Sequence, residues 1–205
     1  GVLEGDLHNS FQLTEELASF YEDDEEWSQL QQRLQKMKDN LKRTQNFVNA
    51  VLSHVSYVES DEVVMSSIHP FLEQVLSRFF EQLGEESATI SLFRDYDRSL
   101  DQLEIPLLEV TLEQALFNIL DNSWDALSAR YQWSDSFPFI KLVTRNQEDF
   151  IIIEIIDNGI GIEPEMRSQV FERLFTSKPK GKGTGLGLYI VYESIVKLHR
   201  GDVSI

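Results

Sequence analysis

Ile151-Ile-Ile-Glu-Ile-Ile-Asp157-Asn-Gly-Ile-Gly-Ile162 sets an apolar run directly against a turn with two glycines. Ile151–Ile156 has the length and β-branched content of a buried strand. An aspartate at the strand end, followed by Gly159 and Gly161, makes a tight turn with an exposed carboxylate. Such a carboxylate can accept from an exocyclic amine, such as that of adenine, in a charge-assisted bond worth roughly 1.5–3 kcal/mol. The glycines let backbone approach a flat ring. Taken alone, the segment reads first as an ordinary Asn-Gly turn.

Downstream, Gly181-Lys-Gly-Thr-Gly-Leu-Gly-Leu188 packs four glycines into seven residues and leads into a helix expected over Thr184–His199, with Gly201 as its stop. Free N–H groups at a helix start attract phosphate. Lys178, Lys180 and Lys182 supply positive charge beside it. A flexible loop would explain the glycines but not their phasing onto a helix. No Gly-Lys-Ser/Thr ends the run, so it is not a P-loop, and no strand directly precedes it, so it is not a dinucleotide fingerprint.

Upstream, Asn118 and Asn122 lie four apart on a helix that Thr111-Leu-Glu-Gln114 opens as a capping box and that runs through Leu127. Amide oxygens are hard ligands suited to Mg2+ shared with phosphates. By itself such a pair reads as solvated helix surface.

Further elements follow from periodicity. Residues 70–83 predict a helix ended by Gly84, Ala88–Phe93 a strand, and Phe139–Thr144 with Phe150–Ile156 a hairpin through Asn146–Asp149. Pro164 fits the first turn of a short helix. Helices alternating with mostly antiparallel strands predict a two-layer α/β sandwich.

Residues 27–58 carry a heptad seam, Leu30, Leu34, Met37, Leu41, Thr44, Val48, Val51, Val55 and Val58. With a weaker helical pattern over 2–21 and the acidic turn Glu22–Glu26, this predicts an antiparallel helical hairpin. A second copy would complete a four-helix bundle, so a homodimer is expected. The boundary with the sandwich falls near 59–67.

Composition narrows the functions. Thirty-five acidic residues against 18 basic give a net charge of −17, a surface that repels nucleic acid and anionic lipid. There is no cysteine, which excludes disulfides and thiolate chemistry and fits a reducing, cytoplasmic setting. No apolar run approaches the roughly 20 residues of a membrane span, so no membrane contact is expected from this piece.

Taken in order, Asn118-Ile-Leu-Asp-Asn122, Asp157-Asn-Gly-Ile-Gly161, Phe171-Glu-Arg-Leu-Phe175 and Gly183-Thr-Gly-Leu-Gly187 resemble the N, G1, F and G2 boxes of the ATPase domain shared by histidine kinases, gyrase, Hsp90 and MutL. The resemblance implies a site for ATP and Mg2+. Asn122 would bind Mg2+, Asp157 the adenine amine, and Gly183, Gly185 and Gly187 the phosphates. Phe171 and Phe175 would anchor a lid. Asn118, Asp125, Gly159, Gly161, Lys178, Lys182, Thr184 and Leu186 complete the expected ATP-binding set. The gyrase, Hsp90 and MutL branch has a glutamate base where Asn118 stands. A neutral amide cannot take a proton from water, which argues against simple hydrolysis and for a kinase. Phe175–Gly185 is also similar to histidine-kinase lids.

In sensor histidine kinases a dimerising helical hairpin precedes this domain and bears the phosphoacceptor. Of His8, His54, His69 and His199, only His8 lies on the first helix, and Gly5-Asp-Leu-His-Asn9 resembles an H box. A neutral imidazole nitrogen is nucleophilic near pH 7. Asn9 departs from the usual Glu or Asp after the histidine; it can orient the ring but not accept its proton. Gln12, one turn on, is placed to position water or simply to face solvent.

The resemblance thus implies an autophosphorylating protein-histidine kinase core. Residues 1–60 would form the dimerising phosphotransfer hairpin and 65–205 the catalytic domain, with Gly201–Ile205 starting a truncated strand. Phosphate would pass to an aspartate of a response-regulator receiver domain. The alternative is a regulatory pseudokinase that binds nucleotide and a partner without autophosphorylating, favoured by Asn9. An ATPase or serine kinase of the same superfamily is disfavoured by Asn118 and the hairpin.

Overall fold

The computed structural model describes residues 31–37, 61–84, 89–131, 137–178 and 183–205. The chain divides into two compact units, Gly1–Phe47 and Val48–Ile205. In the first, residues 31–37 are helical, with Leu34 half-buried and Met37 exposed. That agrees with the helix expected there. The rest of the expected hairpin, with His8, Asn9, Gln12 and His54, lies outside the described residues.

The second unit runs β1 (Val63–Ser67), α1 (Ile68–Leu83), β2 (Ser91–Asp95), a 3-10 turn at Arg98–Leu100, β3 (Glu104–Leu108), α2 (Glu109–Tyr131), β4 (Phe139–Gln147) and β5 (Phe150–Asp157). A 3-10 turn at Pro164–Met166 and α3 (Gly187–Tyr192) follow, and α3 continues as a π-helix over Glu193–Leu198. Among the described residues, β2, β4 and β5 form one sheet in the order β2-β4-β5, while β1 and β3 pair separately. β2 is parallel to β4, and β4 is antiparallel to β5.

β5 alternates strictly. Ile151, Ile153 and Ile155 pack into the core, while Phe150, Ile152 and Ile156 are exposed on the other face. α1 and α2 cover the inner face as a second layer. Leu72, Val75 and Leu76 of α1 meet Leu116 and Leu120 of α2 over Leu142 and Ile155. Phe79 is 1% exposed and sits edge-to-face against Phe80 and Phe117. Each side chain buried so completely contributes roughly 1.5–3 kcal/mol of transfer free energy. This is the two-layer α/β sandwich expected.

A polar cluster pins the far end of the sheet. His69 is buried at the start of α1; its Nδ1–H donates to Asp101 at 2.8 Å and its Nε2 pairs with Thr144 Oγ1 at 2.9 Å. Its ring stacks on Tyr96 at 4.5 Å, and the Tyr96 hydroxyl donates to Glu73, which Arg94 grips with two bonds. His199 is likewise engaged: Nδ1–H donates to Ser194 O at 2.8 Å and Nε2 accepts from Leu108 N at 3.3 Å.

Several boundaries differ from expectation for local reasons. α2 begins at Glu109, so Thr111 is inside it and the capping box does not form. The Thr111 N–H instead donates to the Asp61 carboxylate at 2.7 Å, a cap brought from before β1. α2 also runs on to Tyr131. β1 and β3 escape the sequence pattern because Val63-Val-Met65 is exposed and β3 contains Pro106, which pairs with Met65. β2 begins at Ser91 rather than Ala88. The last helix starts at Gly187, three residues late, because Gly185 takes φ 66. At its end Arg200, not Gly201, holds the left-handed position at φ 56, while Gly201 N donates to Ile195 O at 2.9 Å. Residues 201–205 join no ladder among the described residues.

Candidate nucleotide site

α2 is the spine of the site. Asn118, Asn122, Ala126 and Arg130 recur every four residues and so form one slowly winding stripe along it.

At one end lies the turn after β5. Asp157 closes the strand opposite Ile140, and its Oδ1 accepts from Gly159 N at 2.8 Å. The turn lies flat on the helix. A Cβ on Gly159 would stand 2.6 Å from the backbone carbon of Ala126, so only glycine fits. Ile160 N donates to Ala126 O at 3.2 Å. Arg130 Nη1 donates to the carbonyls of Asn158 at 2.7 Å and Gly159 at 3.0 Å. Asn158 ties the turn to β4, accepting from Phe139 N at 2.8 Å and donating to Phe137 O at 3.0 Å.

At the other end, Asn118 and Asn122 face the start of α3. A Cβ on Gly187 would meet Asn118 Oδ1 at 3.7 Å and Asn122 Nδ2 at 3.8 Å. Asn118 Nδ2 is buried with no hydrogen-bond partner. Asn122 Oδ1 accepts from the Lys178 ammonium at 3.3 Å, and the same ammonium pairs with Asp125. An amide oxygen and a carboxylate thus already converge on a positive charge. That donor set suits a hard divalent ion. Beside it, burial and the neighbouring Asp125 carboxylate raise the Asp121 pKa, with Lys178 pulling the other way.

The segment between these ends folds back on itself. Leu174, at φ 69, donates its N–H to Gly185 O at 2.9 Å, and its carbonyl carbon would lie 2.4 Å from a Cβ on Gly185. Gly183 packs as closely on Thr176, whose Oγ1 would be 2.3 Å from a Cβ there. Thr184 Oγ1 accepts from Leu186 N at 3.3 Å, and Leu186 is buried as the residue before α3. Phe171 leans on Tyr192 of α3 with ring centroids 6.4 Å apart, while Phe175 is half-buried.

The described residues therefore bring Asn118, Asn122, Asp125, Lys178 and Gly187 together, and separately Asp157 and Gly159, with Gly161 next along the turn. Gly183 and Gly185 are locked to the segment that carries Phe171 and Phe175. Lys182, like His8, Asn9 and Gln12, lies outside the described residues. Ala126, Arg130 and Asn158 were not singled out from sequence. Continuing the Asn118–Asn122 spacing by two more steps would have found the first two.

Residues 108–205 match the family described as histidine kinase-, DNA gyrase B- and HSP90-like ATPase. The chain is 30% identical over 146 residues to the signal transduction histidine-protein kinase AtoS of Escherichia coli (strain K12), across 68% of this chain and 21% of AtoS. It is 28% identical over 184 residues to the sensor kinase CckA of Brucella abortus (strain 2308), across 82% of this chain and 18% of CckA. The chain thus spans about a fifth of the length of these curated relatives. Among solved structures, the catalytic domain of histidine kinase ThkA superposes with a TM-score of 0.57 at 22% identity, over 70% of this chain and 86% of that one. At that identity the likeness bears on the fold alone. Among the described residues no helix is long and apolar enough to cross a membrane.

Proposed function

We propose, since this chain belongs to the histidine kinases whose ATPase domain is of the histidine kinase-, DNA gyrase B- and HSP90-like type, that it is an autophosphorylating protein-histidine kinase core in two-component signalling. The observation that carries this reading is α2 itself, which gathers Asn118, Asn122 and the Asp157 turn along one rigid stripe.

Asp157 Oδ1 is engaged by Gly159 N, which leaves Oδ2 for the adenine amine. Asn122 Oδ1, which accepts from the Lys178 ammonium, would hold Mg2+, and Lys178 would then be free to pair with phosphate. Mg2+ supplies charge neutralisation on the phosphoryl oxygens. The unpaired Asn118 Nδ2 donates into the same space, and as an amide it activates no water. The His8 ring nitrogen attacks the γ-phosphorus, its bond to phosphorus forms as the bond to the ADP oxygen breaks, and ADP leaves with the electron pair. The ring gives up its proton to solvent. The phosphoryl group then passes to an aspartate of a receiver domain. Residues 1–60 supply the homodimer, and the piece works in the cytoplasm.

Incubation with γ-labelled ATP and Mg2+ tests the reading. Acid-labile, alkali-stable label that vanishes in His8→Gln is the expected result; label that persists in that variant removes His8 from the mechanism. Asn9 favours a second reading, a regulatory pseudokinase. Nucleotide binding with no label on any histidine selects it.

A further inference from the structure

We propose, resting on the nucleotide reading of Asp157, that Arg130 is a positioning residue that sets adenine selectivity through two peptide planes. Arg130 Nη1 holds the carbonyls of both Asn158 and Gly159. In a trans peptide the N–H points opposite its carbonyl. The Asn158 carbonyl drawn to the guanidinium therefore turns the Gly159 N–H the other way, onto Asp157 Oδ1 at 2.8 Å. The Gly159 carbonyl drawn to the same nitrogen turns the Ile160 N–H onto Ala126 O at 3.2 Å. One guanidinium thus orients both peptides, and the first of them fixes the carboxylate rotamer.

Ala126 and Arg130 lie one helical turn apart. The first forms a floor against which Gly159 packs with no room for a Cβ, and the second closes over the carbonyls. Without Arg130 the two carbonyls lose a charged donor and the peptides are freer to rotate. Asp157 then keeps its charge but loses its aim. The effect falls on the group that the carboxylate reads and not on the phosphates, whose expected partners Gly183, Gly185 and Gly187 lie at and just before α3.

The test compares Mg·ATP with Mg·ITP, whose base carries an oxo group where adenine has the amine. The parent chain is expected to prefer ATP. In Arg130→Ala the ATP affinity falls by roughly tenfold, the loss of one charge-assisted hydrogen bond, while ITP affinity changes less than about twofold, below a charge-assisted bond's worth. Arg130→Lys, which keeps a charged donor, recovers part of the preference. Equal losses for both nucleotides would show a merely structural prop and overturn the proposal, as would an unchanged preference. A parent chain that binds ATP and ITP alike would sink the Asp157 reading itself, and this inference with it.

Discussion

The ammonium of Lys178 stands 3.3 Å from Oδ1 of Asn122, so the amide oxygen expected to hold a divalent cation already holds a lysine. A divalent ion held there would compete with the lysine for one ligand. Asn122→Ala is expected to remove the gain in ATP affinity that Mg2+ brings, a loss of roughly tenfold or more, and to change metal-free ATP binding much less. Titrations with a fluorescent ATP analogue, with and without Mg2+, measure both. An undiminished Mg2+ dependence in the variant would remove Asn122 as ligand.

Gly185 and Gly161 both take positive φ, at 66 and 72, but in different surroundings. A Cβ at Gly161 meets nothing within 4 Å, whereas at Gly185 it would stand 2.4 Å from backbone of Leu174. Gly161→Ala is therefore expected to cost about 1–2 kcal/mol from conformation alone. Gly185→Ala adds overpacking and is expected to cost about 2–5 kcal/mol. Urea unfolding of the two variants ranks them, and equal midpoints would contradict the packing described.

Asp121 offers a pH signature. Burial and the Asp125 charge raise its pKa in the folded chain. A raised carboxylate pKa means that ionisation opposes folding. The penalty is absent below the unfolded value, grows as pH climbs through the folded one and is constant above. Asp121→Asn is thus expected to raise the melting temperature at pH 7 and to leave it unchanged well below the ordinary aspartate value, at about pH 2.5. Because Asp121, though partly desolvated, keeps contact with solvent, screening holds the gain below about 1 kcal/mol. A stabilisation of equal size at both pH values would point to another cause.

Thr144 is fully buried, and its hydroxyl serves both His69 Nε2 and the N–H of Asp97. Thr144→Val keeps the volume and strands both groups. A loss of about 2 kcal/mol is expected from unsatisfied buried polar atoms, with ATP affinity unaltered. A selective loss of nucleotide binding would tie the cluster to the site.

The sandwich was legible where side-chain period and burial agree. The alternation of Ile151, Ile153 and Ile155 announces β5, and the Phe71–Phe79 stripe announces α1. β1 and β3 were not legible because Val63-Val-Met65 is exposed and Pro106 interrupts β3, even though Ile105 and Leu107 turn into the core. The start of α2 was misplaced because its cap, Asp61, comes from 50 residues earlier in sequence. Within the site, residue types conveyed the asparagines, Asp157 and the glycines. What they left silent was the support beneath: Ala126 has no chemistry of its own, and Arg130 acts through carbonyls that every residue possesses.

The stripe of Asn118, Asn122, Ala126 and Arg130 also works as a ruler. Twelve residues of helix span about 18 Å, and along that length one unbroken rod would set how far a bound base lies from its phosphates. No hinge interrupts α2 between Asn118 and Arg130, so the helix alone sets the spacing of the two ends. A single residue inserted between Asn122 and Ala126 would turn everything after it by about 100°. The amides and the aspartate turn would then each stay whole, yet no longer address the same molecule.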